Sequence, residues 1–213
     1  MMIKPLAAMV FAALALLAPG SARAEPVRIV AFGDSLMAGY QLGPEEGFVP
    51  QLQKALDDQG IEASIGNAGV SGDTTSGGLA RLDWSVADGT DLVILELGAN
   101  DALRGIAPEL TRQNLDAMIT RLKDRGITVL LAGMIAPPNM GPDYGAAFNP
   151  VYADLAARHG LTLYPFFLDG VAATPALQLA DGMHPNAAGV ARMVDGILPV
   201  LLAEIKNVKE INQ

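Results

Sequence analysis

Residues 27–36 read Val-Arg-Ile-Val-Ala-Phe-Gly-Asp-Ser-Leu, a run that is apolar apart from Arg28, stops at a glycine and turns polar. Val27 to Phe32 has the length and β-branched content of a buried strand, and Gly33 ends it. Working outward, Phe48, Leu52, Ala55 and Leu56 recur at i, i+4, i+7 and i+8, the stripe of an amphipathic helix closed by Gly60. Ile61 to Ile65 is a weaker strand before a Gly66-Asn67-Ala68-Gly69 turn, and Leu92 to Leu97 is a strong one, interrupted by Glu96. Leu115, Met118, Ile119 and Leu122 line the next helix, and Ile127 to Leu131 returns as strand. A helix around Val151 and Leu155 precedes a short strand from Leu161 to Tyr164, and Val190, Val194, Ile197, Leu198 and Leu201 line the last helix.

Strands alternating with helices across short connections require a parallel sheet, because each crossover helix must cover a sheet face. Five strands predict a three-layer α/β/α sandwich of flavodoxin-like form. No internal repeat or linker divides it, so residues 25–206 read as one domain and 207–213 as a frayed tail. In such sheets sites form beyond the carboxyl ends of the strands. Chemistry is therefore expected after Phe32, Ile65, Leu97 and Leu131, and near the start of the last helix.

Composition narrows the choice. The 213 residues are 51% apolar and 17% charged, which excludes wholesale disorder, and a chain of this size can remove roughly 70% of its unfolded surface from water. A net charge of −9 with no basic cluster argues against nucleic acid. The absence of cysteine rules out a thiol nucleophile, a thiolate zinc site and any disulfide. At the start, Lys4 precedes the apolar run Leu6 to Ala18, then Pro19-Gly20 and Ala22-Arg23-Ala24. That is the order of a cleaved signal peptide over residues 1–24, and the run is too short to span about 30 Å of hydrocarbon. The expected product is periplasmic or secreted, without stable membrane insertion, and monomeric.

His159 and His184 are the only imidazoles. His159 closes a helix and shares a face with Val151 and Leu155, a structural position. His184 stands in Asp181-Gly182-Met183-His184-Pro185, where a carboxylate three residues earlier can bend back to the ring and fix its tautomer. An ordinary helix-entry turn has the same look. Ser35, just beyond the first strand in Gly33-Asp34-Ser35-Leu36, can present its hydroxyl where the chain turns sharply, although Gly-Asp-Ser alone is also a common turn. Gly69-Val70-Ser71-Gly72-Asp73 and Gly98-Ala99-Asn100-Asp101 offer amide donors at Gly72 and Asn100. With the Ser35 amide these supply a three-donor oxyanion hole. Each loop by itself is an unremarkable turn; four on successive strand ends are harder to dismiss.

In that order the four blocks resemble the SGNH, or GDSL, hydrolase superfamily across nearly the whole mature chain. Ala31 to Tyr40, Asn67 to Thr75 and Glu96 to Gly105 resemble its bacterial multifunctional esterase branch, which includes acyl-CoA thioesterase, lysophospholipase and arylesterase activities. The resemblance implies Ser35 as nucleophile, His184 as general base and acid, and Asp181 as its orienting partner. It implies an oxyanion hole of Ser35 N–H, Gly72 N–H and the Asn100 side chain. Substrate contacts would come from Asp34, from Leu103 in a flexible Asp101–Gly105 loop covering acyl chains, and from Met134, Pro137 and Pro138 as a second wall. The third block departs from the family's usual Gly-Gly-Asn-Asp at Ala99, which would strain the turn if that position needs positive φ.

The implied reaction is two-step acyl transfer from an ester, thioester or lipid substrate, requiring no metal and no organic cofactor. A Gly-x-Ser-x-Gly elbow is absent, which argues against the α/β-hydrolase alternative. Two rival readings share the fold. One is a polysaccharide O-acetyl esterase, disfavoured because no aromatic platform clusters around Trp84; the other is a non-catalytic lipid- or glycan-binding module, disfavoured because Ser35, Asp181 and His184 are all present.

Overall fold

A computed structural model describes residues 25–211 of the chain. The expected signal peptide and the last two residues of the expected tail lie outside the described residues. The elements run β1 Val27–Gly33, α1 Ser35–Ala38, α2 Phe48–Asp58, β2 Ala63–Gly69, α3 Thr75–Ser85, β3 Leu92–Glu96 and α4 Ala99–Leu103. They continue with α5 Pro108–Asp124, β4 Thr128–Ala132, α6 Pro142–Phe148, α7 Val151–His159, β5 Thr162–Tyr164 and α8 Ala187–Ile211.

All five strands are parallel in the order β2-β1-β3-β4-β5. The chain moves one way from β1 to β2 and the other way from β2 onward, so right-handed crossovers send the connecting helices to opposite faces. Accordingly α2 packs with α8, while α3, α5 and α7 pack in series. The reversal falls between β1 and β3, and the loops leaving these two strands carry Asp34-Ser35 and Gly98-Asn100. That is the switch point where open α/β sheets form their clefts. β3, with neighbours on both sides, is buried along its whole length, and Phe32, Leu52, Leu95, Leu131 and Met193 meet in the continuous core around it. Among the described residues no helix is long and apolar enough to cross a membrane.

Three features differ from the sequence reading. Gly66 to Gly69, expected as a turn, are ladder residues paired with Val30 to Gly33. β2 is an edge strand with only part of one face covered, so it needs no continuous apolar run. α3 was not anticipated because it carries little amphipathic contrast and two adjacent glycines; Thr74 caps it by accepting the Gly77 N–H. The tail does not fray at 207: α8 runs to Ile211, with Val208 buried on the stripe that begins at Val190.

Candidate active site

The first strand delivers its residues to the sheet rim through a helix cap. Asp34 accepts the Leu36 N–H, fixing the start of α1, and Ser35 becomes the first helical residue. Ser35 is 9% exposed, with its hydroxyl facing the far end of the chain. Its Oγ lies 2.9 Å from His184 Nε2, and His184 Nδ1 lies 2.7 Å from Asp181 Oδ2. The other oxygen of Asp181 accepts the backbone N–H groups of Met183 and His184 at 2.9 and 3.0 Å. Those donors and the ring hold its carboxyl down at about 2. Asn186 accepts the Gly189 N–H at the head of α8, and the Leu179 N–H donates to the His184 carbonyl, so the segment carrying the imidazole is tied at both ends.

Gly72 and Asn100 line the same cleft as Ser35, a cavity of about 340 Å³. Gly72 has φ +80°, a conformation that turns the loop after β2 and that only glycine adopts freely. Asn100, at the start of α4, donates from Nδ2 to Asp34 Oδ2 at 2.9 Å, which fixes the amide plane and leaves its second N–H free to serve a ligand. Tyr40, Leu103, Leu168 and Met183 supply apolar walls. The Tyr40 ring lies against His184 with centroids 4.4 Å apart and the planes tilted by 38°. A hydroxyl, an imidazole and a carboxylate in hydrogen-bonding order, facing amide donors, form a constellation competent for acyl transfer.

The GDSL-like Lipase/Acylhydrolase family model matches residues 31–192. The chain belongs to this SGNH hydrolase family. It is 43% identical over 174 residues to Esterase TesA of Pseudomonas aeruginosa, covering 81% of this chain and 87% of that protein. It is 36% identical over 177 residues to Thioesterase 1/protease 1/lysophospholipase L1 of Escherichia coli K12, covering 83% of each. The crystal structure of AlinE4, an SGNH-hydrolase family esterase, superposes with a TM-score of 0.72 at 44% identity, covering 85% of this chain and 98% of that one. This SGNH hydrolase is thus an enzyme acting on ester bonds.

Against that geometry several expectations change. Ala99 carries no strain: Gly98, with φ +119°, takes the bend, and Ala99 opens α4 with a φ outside the positive range. The expected Asp101–Gly105 loop is mostly helix. Asp101 is fully buried and accepts from the Thr75 N–H and the Thr111 hydroxyl, pinning α4 to α3 and α5; only Leu103 of that stretch faces the cleft. Met134 is buried in the core, and Pro137 and Pro138 line a separate hollow of about 600 Å³ beside α6. They form no wall of the Ser35 cleft, because the chain after β4 turns away towards α6. Asp34 borders the cleft but is 1% exposed and is occupied by Leu36 and Asn100, so it holds the site together. His159 sits far from this rim, 2.6 Å from Asp116 on α5, whose carboxyl it holds below the usual range.

Glu96 was legible only as an interruption of a strand. It is fully buried at the end of β3, and its Oε2 accepts the Asp34 N–H at 3.2 Å. Oε1 has no hydrogen-bond partner among the described residues. A side chain on Gly33 would collide with Glu96 Oε2, which explains the glycine ahead of Asp34. Burial, reinforced by the neighbouring Asp34 charge, pushes the Glu96 carboxyl well above the usual carboxylate range. Burial likewise pushes Asp34 up to about 6. Both shifts favour the neutral acid in the fold, so their stabilising contribution is complete below the unfolded carboxylate range and is lost as pH rises through the folded values. Glu96→Gln, which copies the neutral acid, is expected to gain stability relative to the parent as pH rises from 5 to 9. Urea midpoints measured across that range check it; a parallel pair of curves would contradict it.

Proposed function

We propose that this enzyme is a serine esterase in which Ser35 is the nucleophile, His184 the general base and acid, and Asp181 the residue that orients the imidazole. The observation carrying the reading is the unbroken relay from Ser35 Oγ to His184 Nε2 and from His184 Nδ1 to Asp181. As Oγ attacks the ester carbonyl, its proton passes to Nε2 and the carbonyl oxygen becomes an oxyanion. The Ser35 and Gly72 N–H groups and the free Asn100 amide proton receive that charge; each such donor is worth about 100- to 1,000-fold in rate. His184 then protonates the leaving alcohol or thiol, and water repeats the sequence on the acyl-enzyme.

The apolar walls of Tyr40, Leu103, Leu168 and Met183 suit short- to medium-chain acyl groups, with aryl esters, acyl thioesters and lysophospholipids as substrates. The E. coli relative's thioesterase and lysophospholipase names support the last two classes. A polysaccharide deacetylase would need a broad polar or aromatic platform, and Trp84, 76% exposed on α3, does not line the cleft. Residues 25–211 form the hydrolase domain of an exported protein, a reading that rests on Lys4, the Leu6–Ala18 run and Ala22-Arg23-Ala24. A fluorophosphonate probe is expected to add one equivalent to the protein, with the adduct mapped by mass spectrometry to Ser35. Adduct formation at another residue, or none at all, would overturn the assignment.

A further inference from the structure

We infer that Arg81 is a positioning residue for acyl transfer, one buried guanidinium that fixes the nucleophile turn and the oxyanion loop relative to each other. The inference rests on the roles proposed above for Ser35 and Gly72. Arg81 projects from α3 into the rim of the sheet, is 7% exposed, and lies with Cζ 4.0 Å over the Phe32 ring. Its Nη2 donates to the Gly33 carbonyl at 2.9 Å, two residues before Ser35. Its Nε donates to Asp73 Oδ2 at 2.7 Å, one residue after Gly72. Its Nη1 donates to the Ala68 carbonyl at 2.8 Å, where β2 enters the same loop, and to Ser85 Oγ at 3.2 Å.

The arrangement answers a physical need. β1 and β2 end side by side at Gly33 and Gly69, and beyond that point the ladder no longer fixes their spacing. A single Val70 N–H to Gly33 carbonyl bond continues it. Arg81 adds a planar fork whose donors lie in fixed directions, so the two backbone segments bearing the Ser35 and Gly72 amides cannot shift independently. Lysine has one nitrogen and no fork; it cannot reach Gly33, Ala68 and Asp73 together. An oxyanion hole is sensitive to such aim, since displacement of about 1 Å can cost about 100-fold.

The test is Arg81→Lys, assayed on p-nitrophenyl esters and with an alkyl boronic acid that forms a tetrahedral adduct on the nucleophile. The expected result is a kcat about 10- to 100-fold lower with KM within about twofold, and boronate affinity falling in parallel with kcat. Asp73→Asn, which keeps the arginine and weakens one arm, serves where Arg81→Lys does not fold, and is expected to lower kcat about 10-fold with KM unchanged. Leu82→Ala, fully buried one residue along α3, lowers stability and should leave kcat within about twofold. Folded Arg81→Lys or Asp73→Asn at parental kcat overturns the inference, as does an equal kcat loss in Leu82→Ala. A parent protein that takes no fluorophosphonate at Ser35 instead overturns the underlying assignment.

Discussion

Ser35→Ala is expected to lower kcat for a p-nitrophenyl ester by about 10⁴- to 10⁶-fold while leaving the far-ultraviolet circular dichroism unchanged. The magnitude follows from removing the proposed nucleophile; what would survive is water attack aided by the proposed oxyanion donors. The fold should not respond, because the hydroxyl supports little else. It stands 2.9 Å from His184 Nε2 and 3.5 Å from Asp34 Oδ1, and Asp34 keeps its bonds from Leu36 and Asn100 when the hydroxyl is gone. The serine N–H, one of the three proposed oxyanion donors, is retained by alanine, so the residual rate reports the hole without the nucleophile. Turnover within tenfold of the parent would mean that the hydroxyl is not the attacking group and that the relay to Asp181 serves another purpose.

The parts of this molecule that were legible in the sequence are those whose burial is continuous. β3 and β4 are covered on both faces and β1 is buried over most of its length apart from Arg28, so all three read as mainly apolar runs, and α2, α5, α7 and α8 each bury one stripe against the sheet. The second half of β2 and all of α3 were hidden because neither needs such a stripe: one is an edge, and the other approaches the sheet through glycines. The site divides along the same line. Ser35, Gly72, Asn100, Asp181 and His184 sit in short blocks with recognisable turn chemistry. Tyr40 and Leu168 come to the cleft from segments whose meeting depends on how α1 and the chain after β5 pack, which no local spacing encodes. Arg81 and Glu96 carried the wrong signal altogether, since a charge in sequence normally marks solvent and both are buried here to serve backbone groups. Their neighbours did carry a trace: Gly33 is small because Glu96 lies against it.

Asp181→Asn is expected to lower kcat by about 10³- to 10⁴-fold with little change in KM, although the side chain differs by one atom. Asp181 is acceptor-only, and it receives three N–H groups: those of the Met183 and His184 backbone on one oxygen and His184 Nδ1–H on the other. Asparagine can keep its oxygen on the two backbone donors, so the turn should survive. Its NH₂ then faces Nδ1, where two donors would meet. The imidazole relieves the conflict by moving its proton to Nε2, with Nδ1 accepting from the amide. Nε2 is the atom 2.9 Å from Ser35 Oγ, and once protonated it cannot take the serine proton. The loss therefore falls on kcat and not on substrate binding, and fluorophosphonate addition to Ser35 should slow in proportion. Linkage supplies a second readout with its own sign. The Asp181 carboxyl is held at about 2 in the fold, so its contribution to stability is complete above the unfolded carboxylate range and is lost as pH falls towards that value. Asparagine has nothing to titrate there, and the stability difference between parent and variant should narrow on acidification from pH 5 to pH 2, as followed by urea unfolding. A variant that keeps more than half of the parental kcat would show that the imidazole needs no carboxylate to hold its tautomer, and would leave Asp181 as a turn residue alone.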